Sequence, residues 1–152
     1  MAAPQCALGK VFATLGVVAS VLATQTSVAE APKGHFTVNG EVVQDTATKL
    51  VWQRAVPAKS YTSDQASAYC AGLKLAGGGW RLPTIKELHT LVDETRTVPA
   101  IDDTAFPETP PYHFWTSSHL SEFPQFTWSI NFAEGTDAWF PGENEQRVRC
   151  VR

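Results

Sequence analysis

Four kinds of side chain in this sequence could do chemistry: sulfurs, imidazoles, a turn of hard oxygen donors and a basic closing stretch. Cysteines stand at positions 6, 70 and 150. A free thiolate is a nucleophile and a metal ligand, whereas an even pair in an exported chain predicts a disulfide. The chemistry at Cys70 and Cys150 therefore depends on compartment, with a bridge or two buried free thiols as the alternatives. His113 and His119 flank "FWTSS". An even spacing on a strand puts both rings on one face, where Asp102 and Asp103 could join them around a metal; two surface histidines are the other reading. In "WFPGENE", Glu143, Asn144 and Glu145 offer hard oxygen donors that a turn could gather around calcium, against a solvated acidic loop. Arg147 and Arg149 alternate in "QRVRCVR", opposite Val148 and Cys150, and Arg152 completes the basic cluster. On one strand face the first two could grip a carboxylate or sulfate bidentately, or stand solvated or ion-paired.

The aromatic rings divide in the same way. Trp52, Trp80, Trp115 and Trp128 sit where their elements should face the core. Tyr112, Trp139 and Phe140, beside prolines or a loop, are candidates for exposure, where a flat ring stacks on a sugar with little entropy to lose. The ligand-binding candidates are thus Tyr112, Trp139, Phe140, Asn144, Arg147 and Arg149. No G-x-S-x-G, H-E-x-x-H or C-x-x-C occurs. No catalytic residue is therefore assigned, the reading is non-enzymatic, and calcium is the one cofactor considered.

Residues 1–29 read as a secretory signal. They hold one cation, Lys10, no carboxylate, and an apolar run from Val11 to Ala23 that is short for a span needing about 20 residues. Small residues in Ser27-Val28-Ala29 place cleavage after Ala29, with an uncleaved anchor as the alternative. Cleavage would remove Cys6 and leave Cys70 and Cys150 paired. Of the 12 Lys and Arg, 11 would remain against 15 carboxylates, a net charge of −4 with neutral histidines. Such a chain lacks the basic face that tracks phosphates, so nucleic acid is not an expected partner.

The elements that must position these residues follow from period and punctuation. After a joint at 30–40, Asn39-Gly40 between β-branched residues predicts a type I′ hairpin, and "LVWQR" a further strand. Thr62 with Gln65 is a capping box ahead of Ala66, Tyr69, Cys70 and Leu73, one face of a helix that Gly77 to Gly79 should stop. "GWRLPTIKEL" then reads as a corner: Trp80 seats it, Leu82-Pro83 approaches extended, and Thr84 with Glu87 caps a second helix faced by Ile85, Leu88, Leu91 and Val92. Arg81 should be held by carbonyls or by Glu87. Residues 93–111 predict a long irregular loop of the kind that often carries function. "YHFWTSS", "FTWSINF" and "TDAWF" predict strands, the second with Phe126, Trp128, Ile130 and Phe132 on its core face. The order is α+β: two helices packed on a small antiparallel sheet, long irregular loops, and a disulfide joining the first helix to the last strand.

These landmarks resemble a known family. "VVQDTATKLVWQR", "ASAYCAGLKLAGGGWRLPTIKEL", "FWTSS", "FTWSINFAEG" and "VRCVR" are similar, in order, to the Lcl C-terminal-like domain, domain of unknown function 1566, over residues 41–152. The resemblance implies a C-type-lectin-like, formylglycine-generating-enzyme-like α+β fold in an exported bacterial protein, secreted or periplasmic. It implies adhesion or carbohydrate binding, with an extracellular glycan or surface protein as partner, because the family is known at the tip of a collagen-like adhesin similar to a glycosaminoglycan binder. This chain has no Gly-x-y run and an acidic balance. An accessory subunit of a bacterial envelope assembly is the alternative, and an oxidoreductase on the formylglycine-generating fold, which needs reactive thiols, a third.

Overall fold

A computed structural model describes residues 35–152; the leader assigned to 1–29, Cys6 and the joint up to residue 34 lie outside the described residues. The chain forms β1 (Phe36–Asn39), β2 (Val42–Asp45), β3 (Val51–Gln53), α1 (Ser63–Gly72), a 3-10 turn (Leu75–Gly77), α2 (Ile85–His89), β4 (His113–His119), β5 (Phe126–Asn131) and β6 (Thr136–Pro141). The class is α+β, but the strands make two three-stranded antiparallel sheets, β1-β2-β3 and β4-β5-β6, where the pattern predicts one. The closing segment explains the difference. It forms isolated bridges instead of a regular edge strand: Gln146 with Tyr61, Arg147 with Phe114, and Val151 with both Trp52 and Arg81. One stretch of backbone thus pairs with both sheets and ties them together.

Local details depart from expectation for identifiable reasons. The first hairpin pairs Asn39 with Val42, so its central residues are Gly40 and Glu41. Positive φ occurs at Gly40 (62°) and not at Asn39. That is the II′ requirement, glycine at the first central position, and not the I′ turn expected. The capping box of Thr62 and Gln65 starts α1 as the spacing predicts. The helix nevertheless ends at Gly72, with Leu73 extended, before the glycine run. Gly77, Gly78 and Gly79 (φ 94°, 83° and 78°) instead carry the chain around the corner, where side-chain-bearing residues would be strained. Thr84 and Glu87 cap α2, which lasts five residues. Leu91 and Val92 follow in tight turns bonded to Leu88 and His89 carbonyls, not in the helix.

The core lies on both faces of the β4-β5-β6 sheet. One cluster gathers Trp52, Leu88, Phe114, Ile130, Phe132 and Val151; the other gathers Ala66, Cys70, Trp80, Trp115, Val148 and Cys150. Ala100, Ile101, Ala105 and Phe106 of the 93–111 loop are buried, the last three in the first cluster, so part of that loop is core and its exposed stretches are Glu94 to Val98, Asp103 to Thr104 and Pro107 to Glu108. β5 is central in its sheet and buries Thr127 and Ser129 on one face and Ile130 on the other. Trp128 and Phe126, expected in the core, are only half-buried.

The corner is closed by polar bonds. Trp80 is buried and its indole N–H donates to Leu75 O at 2.7 Å, while the Arg152 guanidinium lies 5.1 Å over its ring. Arg81 donates to both Glu87 oxygens (2.8 and 2.6 Å), and Glu87 also accepts from Thr84 N. Those bonds, Arg81 first, pull the Glu87 carboxyl down to about 2. The serines of "FWTSS" dock β4 on the corner: Ser117 donates to Pro83 O and Ser118 accepts from Ile85 N. Cys70 and Cys150 are bonded and fully buried, their Cα atoms 5.4 Å apart.

Candidate functional site

The closing arginines do not form the anion grip the alternation suggests. Arg149 is fully buried: it donates to Gln53 O and Arg54 O (both 2.8 Å) and to Thr109 Oγ1 (2.7 Å), with its guanidinium 4.6 Å over Phe106. Among the described residues no carboxylate pairs with it, and burial lowers its pKa to about 9. It is a clamp on β3, and the two carbonyls, the hydroxyl and the ring face that meet the guanidinium offset part of the cost of burying it. Arg147 is half-buried, donates to Pro57 O and Ala58 O, and lies 5.8 Å over the Tyr112 ring. Arg152 is spent on Ala76 O and Gly78 O.

The same segment nonetheless borders the two cavities that stand out. Tyr61 and Gln146 exchange two backbone hydrogen bonds of 2.9 Å, and the Trp115 indole donates to Tyr61 O at 2.7 Å from below. This bridge is a ridge fixed to a buried ring. On one side a cavity of about 280 Å³ is lined by Ser60, Tyr112, His113, Glu145 and Arg147. On the other a cavity of about 390 Å³ is lined by Ser63, Asp64, His119, Gln125, Thr127 and Glu143, among others. The larger one falls in the ~300–1,000 Å³ range of small-ligand sites.

The residues of the larger cavity are placed by local rules. The Thr62 cap puts Asp64 in the first turn of α1 and turns Ser63 inward, where its hydroxyl meets Thr127 Oγ1 at 3.2 Å. Thr127 Oγ1 in turn meets His119 Nδ1 at 3.1 Å. Gly142 lets the loop approach α1: its carbonyl accepts from Ser63 N and its amide donates to Gln125 O. Across the ridge Tyr112 is 58% exposed, and His113, bonded to Ser129 Oγ, packs edge-on against Phe140. Burial lowers the His113 pKa, favouring the uncharged ring.

Of the ligand candidates, Tyr112 and Arg147 therefore meet in one cavity with Glu145. Asn144 is exposed on the same loop between the two cavities' walls. Trp139 and Phe140 point to opposite faces: Phe140 packs beneath the His113 ring, while Trp139, 49% exposed, stacks edge-on with Phe126 on the far face. Glu143 and Glu145 line different cavities, Asp102 caps its own turn and Asp103 pairs with Arg96. Among the described residues no three His, Cys, Asp or Glu side chains converge as a metal site. Sequence reasoning missed Ser60, Ser63, Asp64, Gln125 and Thr127; a serine after a capping threonine carries no signal that a distant loop at Gly142 will close over it, nor does a threonine on a polar strand face.

The fold and site define a small disulfide-closed α+β domain with two open cavities beside its closing segment. Its sequence matches the Lcl C-terminal domain over residues 41–152, and the chain belongs to that family. The match begins inside the first hairpin turn, so β1 precedes it. No curated protein and no solved structure matches the chain.

Proposed function

We propose that the protein is an exported, non-enzymatic recognition domain that holds a glycan or a cell-surface protein across the Tyr61–Gln146 ridge. The observation that carries this reading is the ridge itself: paired backbone bonds and a buried tryptophan lock Tyr61 to Gln146, and the residues next to Tyr61 line one cavity (Ser60) and the other (Thr62), a preorganised surface that an extended ligand could cross. The flanking helices, the paired sheets and the bond from α1 to the closing segment also favour a C-type-lectin-like architecture. The bonded cysteines and the apolar leader favour a secreted or periplasmic bacterial protein. A glycan and protein array probed with the purified protein, with and without calcium, tests the proposal. Binding that Tyr112→Ala weakens supports it; no binding above a denatured control contradicts it.

One observation favours the second reading, an accessory subunit of an envelope assembly. Phe123 and Trp139 are exposed on either side of Phe126, an aromatic surface away from the ridge. Capture of one stoichiometric protein partner, lost in Trp139→Ala, would favour it over glycan binding.

A further inference from the structure

The larger cavity has a charge character that restricts what can enter. Its walls carry Asp64 and Glu143 and no lysine or arginine. The same cavity is lined by groups that both donate and accept: the Gln125 amide and the Ser63–Thr127–His119 chain of hydroxyls and imidazole, linked at 3.2 and 3.1 Å. Such a chain can reverse its direction of donation, so it fits hydroxyls presented either way. Carboxylates accept from hydroxyls and ammonium groups and repel acids, and Asp64 and Glu143 are both exposed to whatever enters. Arg147 cannot neutralise them, since it lines the other cavity and its guanidinium is held by Pro57 O and Ala58 O.

We infer that this cavity is a saccharide subsite selecting uncharged or amine-bearing hexoses and rejecting uronic or sulfated ones. The inference rests on the recognition reading and narrows it to a sugar class. Tetramers of glucose, glucosamine and glucuronic acid, titrated into the full protein under amide NMR and calorimetry, are the probes. Glucose and glucosamine tetramers should shift the Ser63, His119 and Thr127 signals, with the acidic tetramer about tenfold weaker or worse, the effect of a like-charge contact. Glu143→Lys, on an exposed loop position, should close that gap, and Asp64→Asn should narrow it without altering the fold. Equal or tighter binding of glucuronate, shifts confined to other surfaces, or no binding by any tetramer at millimolar concentration overturns the subsite. The recognition reading itself falls only if the array also finds no partner, so the two failures are distinguishable.

Discussion

The two halves of the closing segment make opposite use of the same backbone. Residues 148–151 are buried without exception, and every bond they make is to the fold: Cys150 to α1, Arg149 to β3, Val151 to both Trp52 and Arg81. Residues 142–147 are exposed or half-buried and wall two cavities. The contrast shows how so small a domain can hold a precise surface: the loop that meets solvent is the immediate continuation of the most tightly held stretch of chain. A site on rigid elements keeps its geometry without a ligand to order it.

Breaking the buried half should cost most. The double variant Cys70→Ser/Cys150→Ser is expected to lose about 4 kcal/mol of stability, the chain-entropy value for a loop of this length, measured by denaturant unfolding. Arg149→Met should cost about 3 kcal/mol, because the carbonyls of Gln53 and Arg54 and the Thr109 hydroxyl are left without a donor. Both variants should also weaken whatever binds the ridge, as a secondary effect of loosening it.

The corner sharpens the comparison through pH. The Glu87 carboxyl has a folded value of about 2 against an ordinary 4.5, so its contribution is present above pH 4.5 and is lost as pH falls toward 2. With Arg81 half in solvent the bond is screened, and Glu87→Gln should cost only about 1 kcal/mol at neutral pH. Unfolding curves of the two proteins should converge as pH falls through that window; a gap constant down to pH 2 would show that the pair is not what the residue contributes.

The exposed half should show the reverse pattern. Trp139→Ala and Tyr112→Ala should each change stability by less than about 0.5 kcal/mol, as expected for exposed positions. Tyr112→Ala should nonetheless reduce ligand binding, whereas Trp139→Ala should not. The opposite outcome moves the site to the aromatic face.

Legibility in the sequence followed how local each feature is. Both capping boxes, the β4–β6 meander and the Cys70–Cys150 pairing could be read directly, because each rests on residue type at short spacing or on a count. The Arg81–Glu87 pair was legible for the same reason. What failed was set at long range. Arg149 alternates like a solvated strand residue, and it is buried by β3 together with Phe106 and Thr109 of the 93–111 loop, which no local pattern foretells. Ile101 and Phe106 have no periodic neighbours to mark them as core. Ser63, Asp64 and Thr127 become a cavity only because Gly142 folds onto α1.

Hydrogen exchange on the protein with its bound ligand, found by the array, tests the ridge most directly. Protection should rise at residues 60–64 and 142–147 and stay unchanged elsewhere on the surface. Protection confined to 94–98 or to the face around Phe123 and Trp139 would contradict the account.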